Sequence, residues 1–137
     1  GLAAERRTES DLAAMRQALD MMSHMPHKPE GYIYADLDFH AAITRAAQNP
    51  LLTPLLQPLE ELLLESRAAT FSGAQMVKVR TAQHRKIYER IAARDAPGAR
   101  AAMRRHLADT VKDLERHQRT LKGQISRARS SQGGAGA

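Results

Sequence analysis

Apolar residues return every three or four positions along most of this chain, the period of a helix that buries one face. From about Thr8 to Met25 the repeat is Leu12, Met15, Leu19 and Met22, with Thr8 or Ser10 placed to cap its start and Pro26 with Pro29 to end it. A second segment spans about Tyr34 to Gln48 and stops at Asn49-Pro50, because the residue before a proline disfavours helix. The third is leucine-rich, with Leu52, Leu55, Leu56, Leu59, Leu62 and Leu63, and Pro58 within it should bend it. Phe71-Ser72-Gly73 breaks the chain again, and a helix from about Gln75 to Arg94 carries Val77, Ile87, Tyr88 and Ile91. After a turn at Asp95-Ala96-Pro97-Gly98, the last helix runs past Leu121 through Met103, Leu107, Val111 and Leu114. No run alternates long enough for a strand. The expected fold is all-α: an antiparallel bundle of about six helices over residues 1–125, followed by a disordered tail over 126–137 that ends in SSQGGAGA.

The same periodicity turns polar groups inward. Asp36 and His40 are one turn apart, and His40 lies three before Ile43 and seven before Ala47. His84 shares the face of Ile87 and Ile91, and His106 follows Met103 by three. Three helices thus each aim an imidazole at the interior, and one adds a carboxylate. Any one of these alone reads as a hydrogen-bonded core residue. Together they are costly to bury, and a divalent cation satisfies all four, because neutral imidazole nitrogens and a carboxylate oxygen are its natural donors. His24, His27 and His117 fall at a helix end or in the basic tail and read as surface residues, and Asp38 reads as solvated.

Charge changes the picture little. The net charge of +6 raises the possibility of nucleic-acid binding, but Lys and Arg are spread along the helices and aromatic residues, the usual stacking platforms, are only 4% of the chain. The excess reads as a solvated surface. With no cysteine there is no disulfide, thiolate metal site or cysteine nucleophile. No apolar run approaches the roughly 18 residues of a membrane span, and no secretion leader is evident, so no membrane partner and a cytoplasmic location are expected.

The order Asp36-Leu37-Asp38-Phe39-His40, Asn49-Pro50-Leu51-Leu52, Gln83-His84-Arg85 and Met103-Arg104-Arg105-His106-Leu107 resembles the FadR C-terminal domain (FCD). Residues 3–12, AAERRTESDL, resemble the start of that domain's first helix. This is the effector-binding half of one group of GntR-type bacterial transcription regulators. The resemblance covers roughly residues 2–121. It implies a helical bundle, usually dimeric, preceded in the whole regulator by a winged helix-turn-helix that binds DNA. It further implies that Asp36, His40, His84 and His106 ligate a metal at the floor of a cavity that holds a small organic acid. No winged helix-turn-helix precedes Leu2, so an isolated sensing domain is expected, with DNA a partner only through that missing part.

Three imidazoles and one carboxylate leave one or two positions open on a five- or six-coordinate ion, where an effector carboxylate can bind. Zinc is the expected ion, and nickel, manganese or iron(II) are compatible. Arg80, Tyr88, Arg67, Thr81 and Thr110 are the candidates to grip the effector, arginine through two parallel bonds. Three rival readings remain: a metal-dependent hydrolase using Glu30 or Asp38 as base, a purely structural metal, and a basic helical nucleic-acid binder. The first is disfavoured because Asp36 is already spent as a ligand, so a non-enzymatic sensor is expected.

Overall fold

A computed structural model describes residues 1–25, 27–56 and 60–133. Among them are seven helices, α1 (Leu2–Arg6), α2 (Glu9–His24), α3 (Pro29–Ala46), α4 (Leu52–Leu56), α5 (Glu60–Thr70), α6 (Ala74–Ala92) and α7 (Ala96–Gly133), and no strand. The all-α expectation holds. The bend expected at Pro58 and the placement of Leu59 lie outside the described residues, as do the side chains of Leu62 and Leu63.

Local chemistry sets the boundaries. Thr8 and Asp11 form a reciprocal capping box: the Thr8 backbone N–H donates to Asp11 Oδ2 at 2.8 Å, and the Asp11 N–H donates to Thr8 Oγ1 at 3.2 Å. That box starts α2 at the Thr8 cap expected from the sequence and separates it from α1, whereas the family resemblance grouped residues 3–12 as the start of one first helix. Pro29 opens α3 instead of only closing α2, so α3 begins five residues before the expected Tyr34. A proline in the first turn sacrifices an N–H that has no helical partner there, and its fixed φ suits the helix. Gly73 precedes α6 at φ 96°, a conformation open to glycine and strained for other residues. Asp95 caps α7, its Oδ1 accepting from the Gly98 N–H at 2.9 Å. α7 continues as helix to Gly133, through residues whose composition reads as a tail.

α2 packs along α3 and α6, and α6 along α7, with short connections between α2 and α3 and between α6 and α7. Met15, Leu19 and Met22 of α2, Tyr32 and Phe39 of α3, and Ile87 and Ile91 of α6 form the fully buried centre. α1 locks the end of this bundle. Arg6 donates to the carbonyls of Ala47 and Gln48, each at 3.1 Å, and Arg7 donates to that of Ala92 at 2.7 Å. Two guanidinium groups therefore sit on the exposed carbonyls that terminate α3 and α6, where the helix dipoles favour positive charge.

Candidate metal centre

Each donor is positioned by the apolar stripe of its own helix. Phe39 anchors α3 in the core and carries Asp36 and His40 beside it; Ile87 and Ile91 do the same for His84 on α6, and Ala99 and Met103 for His106 on α7. His84 is wholly buried at 0% exposure, Asp36 and His106 are buried, and His40 keeps some accessible surface. Ligand atoms of His40, His84 and His106 lie within 4.8 Å of one another. Ring centroids are 4.4 Å apart for His84 and His106, 5.2 Å for His40 and His84, and 5.3 Å for His40 and His106. Phe39 closes one side, edge-on to His84 at 5.0 Å and to His40 at 5.7 Å.

Asp36 abuts this trio through His84. Its Oδ1 is 3.1 Å from His84 Nε2, which is itself 3.2 Å from His40 Nε2. One nitrogen carries at most one proton, so His84 Nε2 cannot satisfy both neighbours by hydrogen bonding. As an N–H it donates to Asp36 and leaves His40 facing it without a proton between them; as a bare lone pair it repels the carboxylate. His84 Nδ1 has no hydrogen-bond partner among the described residues. Donors bound to one ion at about 2.0–2.2 Å stand about 3.0–3.4 Å apart, the spacing of the Asp36–His84 and His84–His40 contacts, with the ligand atoms of all three imidazoles within 4.8 Å of one another. The donor set therefore fits a divalent cation better than it fits a closed hydrogen-bond network.

His106 is oriented from outside the cluster. Gln83 Nε2 donates to Asp109 Oδ2 at 2.9 Å, which turns its Oε1 toward His106 Nδ1 at 3.3 Å. An amide oxygen only accepts, so Nδ1 holds the proton and Nε2 keeps the lone pair that a metal needs. The other Asp36 oxygen, Oδ2, pairs with Arg67. Burial alone would raise the Asp36 pKa, but the His84 hydrogen bond and the fields of His40, His84 and Arg67 outweigh it and hold the group well below the usual carboxylate range.

Burial, joined by repulsion from His84 and Arg67, pushes His40 down to about 3 against the pull of Asp36. Burial and repulsion from His84, Arg80 and Arg67 push His106 down to about 4. The fold thus keeps both rings neutral and ready to ligate. The sign of the linkage follows: an unfolded histidine titrates near 6.5, so below that pH the unfolded chain takes up protons that the fold refuses. The metal-free chain should lose stability as pH falls through 6.5 toward 4, by up to about 1.4 kcal/mol per pH unit for each histidine. Urea melts at pH 7.5, 6.5, 5.5 and 4.5 check this, and a flat profile contradicts it.

The effector candidates divide. Arg80 is buried, donating to Asp113 Oδ2 at 3.0 Å and Thr70 Oγ1 at 3.3 Å, and it lines a cavity of about 600 Å³ with Gln83, Thr110, Asp113 and His117. Gln83, which contacts His106, also lines this cavity, whereas Asp36, His40, His84 and His106 do not. Arg67 stands at the Asp36 carboxylate instead. Thr81 lines a separate cleft of about 450 Å³ with Ser23 and Arg85, its hydroxyl without a partner among the described residues, and Tyr88 packs partly buried against the core. His117, read from sequence as a surface residue, is partly buried along the larger cavity, whereas His24, His27 and Asp38 are exposed. Sequence reasoning missed Gln83, Asp109 and Asp113. Their signal was available, because Gln83 precedes a ligand candidate and Asp109 follows His106 by three, one helical turn.

The all-helical bundle brings imidazoles from three helices to one point. Residues 1–109 match the model of the FCD domain, and the chain belongs to that family. It is 38% identical over 118 residues to the HTH-type transcriptional regulator LutR of Bacillus subtilis (strain 168), covering 82% of this chain and 53% of LutR. It is 29% identical over 114 residues to the galactonate operon transcriptional repressor of Escherichia coli (strain K12), covering 82% of this chain and 50% of that protein. The chain spans about half the length of these curated relatives. Both are regulators of transcription, and no described helix is long and apolar enough to cross a membrane.

Proposed function

We propose that this chain is the effector-sensing domain of a GntR-type regulator, in which Asp36, His40, His84 and His106 hold one divalent cation, zinc by donor preference. The observation that carries this is the trio of imidazoles in mutual reach, with a carboxylate against its buried member. Two of the three rings are held neutral at physiological pH. When bound, the cation offers coordination positions to an incoming oxygen ligand. A small organic or sugar acid is the proposed effector class, since one relative is the repressor of a galactonate operon and galactonate is a sugar acid. Arg80 and Thr110 are proposed to contact the rest of such a molecule from the neighbouring cavity. Arg80 already neutralises Asp113, so an acid that enters there must compete for the guanidinium.

The ligand positions belong to α3, α6 and α7, so an effector that favours one packing of these helices shifts the population toward it, by no more than its difference in affinity for the two states. In the whole regulator, taken as a homodimer, that shift would move helix-turn-helix domains and so change operator affinity. A thermal-shift screen of sugar and hydroxy acids, with zinc and with chelator, tests this. An effector acid should raise the melting temperature only with metal present, while its uncharged alcohol analogue does nothing. A shift that persists under chelation would detach the effector from the imidazole cluster.

A further inference from the structure

α7 runs to Gly133, whereas the match to the family ends at residue 109. Beyond that point its apolar residues leave the face that meets the bundle. At about 100° per residue, Ala99, Met103, His106 and Asp113 fall within about 80° of one another. Leu107, Val111, Leu114, Leu121 and Ile125 cluster about a quarter turn away. With Gln118 they repeat at intervals of four, three, four, three and four, the 3.5-residue period of a coiled-coil seam and not the broader stripe of a bundle helix. Leu107, Val111, Leu121 and Ile125 are between 43% and 55% exposed and Leu114 is half-buried, so among the described residues nothing fully covers this line. Four large apolar side chains in register on one exposed helix call for a partner helix.

We propose that this seam pairs in antiparallel fashion with the same seam of a second copy of the chain. The proposal rests on the dimeric reading above and names the surface. In heptad terms Val111, Gln118 and Ile125 occupy the a positions, Leu107, Leu114 and Leu121 the d positions, and the exposed Glu115 and Lys122 the e positions. Antiparallel pairing sets e against e. With Leu114 opposite the partner's Ile125 and Gln118 opposite the partner's Leu121, Glu115 comes within a turn of the partner's Lys122, and two-fold symmetry makes the pair twice. Parallel pairing would instead oppose Thr110 to Glu115 and His117 to Lys122, with no opposite charges matched. The antiparallel overlap, about residues 111–128, extends over about 26 Å, takes in Val111, Leu114, Leu121 and Ile125 with Leu107 just beyond its end, and keeps the two bundles at opposite ends of the paired helices.

Sedimentation equilibrium of the 137-residue chain tests this. The wild type should be a dimer at micromolar concentrations, and the double variant Val111→Glu, Ile125→Glu a monomer with unchanged helical circular dichroism, because both positions are solvent-exposed. Glu115→Lys and Lys122→Glu should each weaken the dimer about tenfold, and the two together should restore it to within about twofold of wild type. A wild type that stays monomeric at 100 µM overturns the proposal. A dimer that survives Val111→Glu, Ile125→Glu places pairing on another surface, and failed rescue by the charge exchange rules out the antiparallel register. Metal-dependent thermal shifts are read separately, so loss of the seam and loss of the sensing site are distinguishable.

Discussion

Replacing His84 by alanine should lower affinity for a divalent cation by at least about 100-fold while the helical bundle persists. His84 is the hub of the cluster: its Nε2 is within 3.2 Å of both Asp36 and His40, and its ring is the nearest neighbour of His106. Residues that only orient a ligand change metal affinity by about 10–100-fold, and loss of a ligand itself should exceed that. Gln83→Ala supplies the graded comparison. It releases His106 Nδ1 without removing a donor, so its loss should fall within about 10–100-fold and stay below that of His84→Ala. Calorimetric zinc titration of the chelator-stripped proteins reads both. Equal affinities for the His84→Ala chain and wild type would move the cation elsewhere.

Arg67→Ala should destabilise the metal-free chain by about 3 kcal/mol, the low end for breaking a buried ion pair. Asp36 is buried, its Oδ2 pairs with Arg67, and its carboxyl is held ionised in part by that guanidinium. Removal leaves a negative charge inside the bundle with less positive field around it. For a domain of this length the loss corresponds to a fall of about 10 °C in melting temperature. A bound divalent cation supplies positive charge at the same carboxylate, so zinc should close most of the gap between Arg67→Ala and wild type. Scanning calorimetry with and without zinc reads the difference. A gap of the same size in both conditions would mean that Arg67 contributes packing and not charge compensation.

How much of this was legible in the sequence depends on the range of the interaction. Helix faces are local: the spacing of Phe39, His40 and Ile43, or of His84, Ile87 and Ile91, is enough to aim an imidazole inward. The four metal-ligand candidates could therefore be picked out before any coordinates. Caps are local too, and Thr8 and Asp95 stand where composition put them. The start of α3 was misjudged because Pro29 carries two opposite meanings, a stop for the preceding helix and a favourable first turn for the next. The effector candidates fared differently because their meaning depends on which helix packs opposite. Arg80 meets Asp113 from α7, Arg67 meets Asp36 from α3, and Thr81 faces α2, and no periodicity within one helix encodes those meetings. The exposed apolar line on α7 lies about a quarter turn from the bundle-facing positions, and spacing along the helix alone does not tell which of the two lines is covered.

The most direct measurement is the X-ray absorption spectrum of the zinc-loaded chain. Three imidazoles at about 2.0–2.1 Å, with the multiple scattering that their rings produce, are expected around a single ion per chain. A first shell of oxygen atoms alone, with no imidazole scattering, would contradict the account.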